Sequence, residues 1–232
     1  MKIGIIAAEP KEMNAIKKRM TNISEKTIFD MTFYIGEFYS HEIYLVECGV
    51  GKVNAARTTQ LLIDSFDIGY IINVGSAGAV NPELNVKDVV IASSLIQYDF
   101  DTTGIGDYEI GEICGIGRYF ECDKTLVNLL TEKLNDIDKD YHVCVGKIGT
   151  ADYFCSNHER AAKIHEEFDV ECVEMEGAAI AQVCYLDKIP FVVIRGISDT
   201  VKGDNKIDFH TYIELAAEQV GIIIDELLKD WR

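Results

Sequence analysis

Proline is scarce, three residues in 232, and no run of glycine, serine or like charge interrupts the chain. Linkers between domains usually carry one of those signatures. The sequence therefore predicts a single domain over residues 1–232, with enough apolar content (48%) for one substantial core. No repeat at a fixed period is visible, which excludes solenoids and propellers. Positive charge is short as well: 22 lysines and arginines face 39 aspartates and glutamates, a formal net charge of −17. Such a surface repels phosphate backbones and anionic lipid, so no nucleic acid and no membrane is expected as a partner. The densest basic cluster, Lys17-Lys18-Arg19, reads as a solvated helix face. A neutral small molecule is the partner that the charge leaves open.

Other missing patterns narrow the chemistry. No apolar run reaches the length of a membrane span, and the opening "MKIGIIAAEPKEM" meets charges too soon for a secretory leader. The seven cysteines, Cys48, Cys114, Cys122, Cys144, Cys155, Cys172 and Cys184, are odd in number and form no C-x-x-C pair, so reduced thiols in a cytoplasmic protein are expected. The five histidines show no metal-ligand spacing, and no metal or cofactor is assigned. "GVGKV" lacks the upstream glycine and the Ser/Thr of a P-loop, "GSAGAV" lacks G-x-G-x-x-G, and no G-x-S-x-G nucleophile elbow occurs.

What is present is an alternation of strands and helices. Lys2 to Ala7 reads as a strand, and Glu9 to Met20 as an amphipathic helix with Pro10 in its first turn. Met31 to Glu37 and His41 to Cys48 form a hairpin pattern, Val53 to Phe66 a helix, and Ile68 to Val74 an apolar strand. Val86 to Tyr98 and His142 to Ala151 are strand-like. Lys124 to Ile137, Glu159 to Phe168, Glu174 to Leu186 and Phe209 to Leu228 are helical, and Phe191 to Ser198 is a buried strand. Strands apolar on both faces imply a central, parallel or mixed sheet covered by helices, and ligands in such folds gather at the carboxyl ends of strands.

Four acidic or glycine-rich points fall at those ends. "AAEPKE" delivers Glu9 and Glu12, "NVGSAGAV" a turn of small residues, "VEMEGAA" Glu174 and Glu176, and "VVIRGISDTV" a turn carrying Asp199. Each has a plain structural reading: an acid in a first helical turn complements the helix dipole, and Asp199 after Ser198 could be an Asx-turn. Gathered in one cleft, however, several carboxylates are costly unless they do chemistry.

The stretches "IAAEPKEM", "CGVGKVNAA", "INVGSAGAV", "VEMEGAAIAQVC" and "VVIRGISDTV" stand in the order and spacing of the 5′-methylthioadenosine/S-adenosylhomocysteine nucleosidases, within the nucleoside phosphorylase family, and the resemblance covers the whole chain. It implies a three-layer α/β/α sandwich with a central mixed sheet, a homodimer whose 99–113 loop lies near the partner's site, and a role in methionine salvage. It also implies hydrolysis of the N-glycosidic bond of methylthioadenosine and adenosylhomocysteine, with 5′-deoxyadenosine a further substrate. Carried onto this sequence, the resemblance makes Glu12 the base that activates water and Asp199, positioned by Ser198, the acid that protonates purine N7. Met175 and Glu176 would meet the ribose, Ala77 and Gly78 would line the ribose and water side, Tyr153 and Phe154 would hold adenine, and Phe209 would close over the ligand.

The chemistry agrees with those roles. Adenine leaves poorly as an anion, so protonating it as the bond stretches is general acid catalysis. Asp199 should then keep a proton through burial while a second carboxylate stays ionised. A phosphorylase would have to bind a phosphate dianion, and a carboxylate about 4 Å away would cost roughly 4 kcal/mol per unit charge at an effective dielectric near 20. Phosphorylases commonly place an arginine before the "VGS" turn, where this chain has Asn73. Two readings stay beside the hydrolase: a phosphate-dependent transferase and a non-catalytic adenosine sensor. Glu9, Thr102 and Ile105 replace an apolar Met, a valine and a phenylalanine of the family pattern, which leaves the preferred 5′-substituent open and admits a futalosine-type substrate.

Overall fold

The structure, a computed structural model, describes residues 1–135, 140–200 and 205–231, with residues 135 and 205–208 described in backbone only. In chain order the strands are β1 (Lys2–Ala7), β2 (Thr21–Ile28), β3 (Met31–Phe38), β4 (His41–Glu47), β5 (Tyr70–Ala79), β6 (Val89–Gln97), β7 (Phe120–Glu121), β8 (Val143–Thr150), β9 (Val170–Glu174) and β10 (Phe191–Thr200). The helices are α1 (Pro10–Lys17), α2 (Lys52–Phe66), α3 (Lys124–Asn135), α4 (His158–Phe168), α5 (Gly177–Asp187) and α6 (Asn205–Asp230). All ten strands belong to one mixed sheet.

The apolar runs of β1, β5 and β10 bury both faces, as their near-continuous Ile and Val content requires. Ile3, Ile5 and Ala7 of β1 join a core with Met13 and Ile16 of α1, Leu126 and Leu130 of α3, and Ile223, Ile224 and Leu227 of α6. Ile6 faces the other way, into a core built on Leu62 of α2 and Ala178, Ile180 and Cys184 of α5. Helices thus cover both faces, giving the expected α/β/α layering. A smaller core under α4 holds Ala161, Ile164 and Phe168 against Tyr98.

The sheet is less simple than parallel strands sharing one edge. β1 pairs with β4 and β5 in parallel and β5 with β10 in parallel, but β9 runs antiparallel to β5, joined at Gly78 to Val173 and Ala79 to Cys172. Because β10 also pairs with β6, β6 with β8, and β8 with β9, the strands β5, β10, β6, β8 and β9 close into a ring. Accumulated twist permits that closure. It brings Glu174, at the carboxyl end of an antiparallel strand, alongside the late residues of β5.

Several boundaries differ from expectation. Residues Gly75 to Gly78 and Asp199 are not turns beyond strand ends but lie within β5 and β10, where they pair with each other: Gly196 with Ser76, Ile197 with Ala77, Asp199 with Gly78. The skipped residue, Ser198, is a bulge that re-aims the strand. The helix expected from Glu174 begins at Gly177, since Glu174 ends β9 and Glu176 is the N-cap. α1 stops at Lys17, and α6 starts at Asn205, a turn before Phe209; Ile137 lies outside the described residues. β2 was not anticipated, because its sequence TNISEKTI is polar and almost wholly exposed.

Gly196 lets β10 approach α6: a β-carbon there would sit 2.7 Å from the carbonyl oxygen of Ala216 and 2.9 Å from its Cβ. Since backbone cannot yield as a flexible side chain can, Gly196→Ala should lower unfolding free energy by about 1–3 kcal/mol in urea titration. A change under about 0.5 kcal/mol, the range of a neutral surface substitution, would contradict this packing.

Candidate active site

The N-terminus of α1 carries the first candidate group. Pro10 opens the helix at a position that needs no N–H donor, and Glu9 and Glu12 form a capping box. The Glu12 carboxylate accepts the N–H groups of Ala8 (3.2 Å) and Glu9 (3.1 Å) on Oε2, and the N–H (2.8 Å) and hydroxyl (2.9 Å) of Ser76 on Oε1. It is 3% exposed. Burial raises its pKa above the ordinary carboxylate value, against the lowering effects of the Arg195 charge and the Ser76 and Glu9 hydrogen bonds. The plain reading of Glu12 as a helix-terminal acid is thus correct as far as it goes, and it does not exhaust the residue.

Asp199 is 1% exposed. Ser198 Oγ lies 2.8 Å from its Oδ1 and 3.4 Å from the carbonyl of Ala77. Asp199 Oδ2 occupies the space where a side chain at residue 78 would project, 2.8 Å from a β-carbon built there, so glycine is required opposite it. Glu176 completes the set at 4% exposure, accepting the Gly51 N–H at 2.9 Å. Burial, then repulsion from Glu174, pushes its pKa up to about 7, with Arg195 and the Gly51 N–H opposing.

Beneath them runs a polar network that the sequence did not reveal. Arg195, 1% exposed, donates from Nη2 to Asn73 Oδ1 at 2.6 Å and to Glu174 Oε2, and lies 3.9 Å from Glu176 Oε2. Glu174 also accepts the Thr150 hydroxyl and the N–H groups of Glu176 (3.1 Å) and Gly177 (2.7 Å), so both its oxygens are occupied. Burial opposes the charge of Arg195, but Glu174, Glu176 and Glu12 together hold its pKa above the usual value. Asn73, read from sequence only as a missing arginine, uses its amide to bridge Arg195 and the carbonyl of Ile6 (2.9 Å). The available signal was a basic residue inside "VVIRGIS": a charge in a strand buried on both faces must have acidic partners.

These groups line one cavity of about 230 Å³ that brings together Glu12, Ala77, Gly78, Phe154, Met175, Glu176, Ser198, Asp199 and Phe209. Tyr153 lies in an adjoining recess shared with Gly78, Phe154, Met175 and Asp199. Phe154 and Phe209 meet with ring centroids 5.6 Å apart at 73°, an aromatic edge to the cavity, and Tyr153 meets Tyr98 edge to face (5.7 Å, 87°) with the Arg160 guanidinium over its ring (3.7 Å). The candidate catalytic and substrate-binding residues therefore border this cavity, except Tyr153, which borders the recess beside it; Thr102 and Ile105 line neither. The cavity's described lining contains Glu9, Glu12, Glu174, Glu176 and Asp199 and no lysine, arginine or histidine. Among the described residues no group of His, Cys, Asp or Glu side chains could hold a metal ion, and no helix is long and apolar enough to cross a membrane.

The model of the Phosphorylase superfamily matches residues 2–229. A 5′-methylthioadenosine/S-adenosylhomocysteine nucleosidase of Marinomonas is 39% identical over 98% of both chains. The chain belongs to this nucleosidase family. Among solved structures, the S-adenosylhomocysteine nucleosidase of Streptococcus pyogenes in complex with 5-methylthiotubericidin superposes with a TM-score of 0.94 at 36% identity, covering 100% of this chain and 98% of that one. A futalosine hydrolase of Helicobacter pylori superposes at 0.93 with 27% identity, covering 99% of both. Membership makes this chain a nucleoside N-glycosyl hydrolase with the α/β fold of its family.

The raised pKa of Glu176 has a measurable consequence for stability. At pH below 4.5 the group is protonated whether the chain is folded or not; above that value the unfolded chain releases a proton that the folded one retains until about 7. Its contribution is therefore fully present at the acid end and lost as pH rises through about 7. Glu176→Gln removes the titration, so the variant should gain stability relative to the parent from the acid to the neutral end of that window, as read by urea midpoints. Parallel pH profiles would contradict the assignment.

Proposed function

We propose that the cavity carries out hydrolysis of the N-glycosidic bond of 5′-methylthioadenosine and S-adenosylhomocysteine, releasing adenine and the thio-substituted ribose, with Asp199 as general acid and Glu12 as general base. The observation that carries the reading is the cavity lining: several buried carboxylates and, among the described residues, no cation. An oxocarbenium-like sugar develops positive charge, which such a lining stabilises as the bond breaks. A phosphate dianion would meet repulsion from each ionised carboxylate, at roughly 4 kcal/mol per unit charge for one about 4 Å away, with no cation in the described lining to offset it. Water suffers none of it.

The geometry supports the following steps. Asp199, with Ser198 fixing one oxygen, gives its proton to purine N7, so adenine departs neutral. Glu176 and Met175 hold the ribose, Glu176 through its hydroxyls, with Ala77 and Gly78 along the ribose and water side. Tyr153, Phe154 and Phe209 enclose the base. Glu12 accepts the proton of the attacking water. Its oxygens already take four donors, three of them backbone N–H groups. The Ser76 hydroxyl alone can swing away, and its departure opens the lone pair that the water needs.

The enzyme is read as one catalytic domain working as a homodimer in the cytoplasm. Apolar Val53 and Ile105, 79% and 75% exposed, support an interface that includes the 99–113 loop, and the seven unpaired cysteines support a reducing compartment. Adenine release from methylthioadenosine, adenosylhomocysteine and a futalosine-type nucleoside, with and without phosphate, tests the reaction; a requirement for phosphate would overturn it. Asp199→Asn should lower kcat by about 10²–10⁴-fold with the fold retained, because the amide cannot supply the proton. Near-parental turnover would remove Asp199 from its role. Glu12→Gln should suppress kcat about as strongly, since its amide also faces backbone donors with a donor of its own.

A further inference from the structure

Glu176 is held lightly for so buried a carboxylate. Among the described residues one hydrogen bond reaches its side chain, from the N–H of Gly51, with Arg195 at 3.9 Å. Gly51 is the N-cap of α2 and has φ +99°, a conformation that glycine adopts freely. The next N–H along, that of Lys52, donates to Asp152 Oδ1 at 2.8 Å. Consecutive amides at the start of α2 are thus shared between the site carboxylate and Asp152. Asp152 donates its own N–H to Asp99 Oδ2 at 2.9 Å, and Asp99 Oδ1 accepts the Lys52 ammonium at 2.6 Å. Lys52, Asp99 and Asp152, drawn from the α2 terminus and from the segments following β6 and β8, close a cycle of three hydrogen bonds.

We infer that Lys52, Asp99 and Asp152 form a clasp that aims the Gly51 N–H at Glu176 and anchors the segment entering Tyr153 and Phe154, so that one device sets the grip on ribose and purine together. The inference rests on the roles proposed above for Glu176, Tyr153 and Phe154. A purely stabilising role is a poor account of the clasp, because a partly exposed ion pair adds little to folding free energy. Position is what it supplies: Asp152 Oδ1 holds the Lys52 N–H at 2.8 Å, one residue from the amide that holds Glu176, so small shifts of Asp152 are felt there. The three are positioning residues.

The test measures Lys52→Met, Asp99→Ala, the double variant and Lys52→Arg by pH profile of kcat/KM with methylthioadenosine, alongside thermal unfolding. The charged and titratable groups facing Glu176 are Glu174 from β9, Arg195 from β10, Glu12 from α1 and Cys48 after β4, and none is altered. A displaced limb in the profile therefore reports the Gly51 amide, whose loss lets the Glu176 proton bind more tightly. Each single variant should lose about tenfold in kcat/KM, mainly through KM, as expected of a small misplacement of binding groups. The acid limb should move to higher pH and the thermal midpoint should hardly change. The double variant should be no worse than the worse single one, and Lys52→Arg should restore most of the loss. Additive losses, an unmoved limb or a loss under about twofold would overturn the clasp. Should the parent enzyme release no adenine, the functional reading fails instead; the clasp is then judged by adenine affinity in calorimetry, which Lys52→Met should weaken and Lys52→Arg preserve.

Discussion

A single guanidinium holds the active site together. Arg195 lies buried among Glu12, Glu174 and Glu176, none of them more than 7% exposed. Burying one carboxylate without a partner costs several kcal/mol, and three around one cation cannot all be ionised without further help. The structure supplies that help unequally. Glu174 is saturated by Arg195, Thr150 and two backbone N–H groups, and serves as the counter-ion. Glu12 and Glu176 hold protons more tightly than an exposed carboxylate would. Around this cation the neighbours are constrained: a β-carbon at residue 75 would stand 2.0 Å from Arg195 Nη1, so Gly75 is required, and Asn73 must bridge the guanidinium to β1. A cleavage that needs one proton to give and one to take is well served by acids of graded proton affinity.

Fold and chemistry share the same atoms. The carboxylate through which Glu12 caps α1 is also held by Ser76, so the start of a helix and the base proposed for the reaction are one arrangement. Likewise the N-cap of α5 is Glu176, and the bulge that advances β10 by one residue is Ser198, which turns Asp199 toward Gly78. Closing five strands into a ring carries Glu174 and Glu176 to the late residues of β5. A flat parallel sheet would have left them on a different edge.

Much of this was legible in the sequence, for identifiable reasons. β1, β5 and β10 declare themselves by β-branched runs, and the acids following them stand out because charge at the end of a buried strand needs an explanation. The strand ends were misplaced because Gly75 to Gly78 and Ser198-Asp199 carry turn chemistry, which cross-strand pairing overrode. β2 escaped because an exposed strand paired on one side, through β3, needs no apolar face. The ring closure has no local signal at all, as it depends on strands distant in sequence. Arg195 was overlooked within an otherwise apolar run, although its type in that setting already implied the acids that surround it.

Water, admitted by a cavity lined with carboxylates, is the nucleophile. The most direct measurement is to run the reaction in oxygen-18 water with excess phosphate and analyse the sugar product by mass spectrometry. The account predicts one labelled oxygen at the anomeric carbon and no sugar phosphate; an unlabelled ribose 1-phosphate would contradict it.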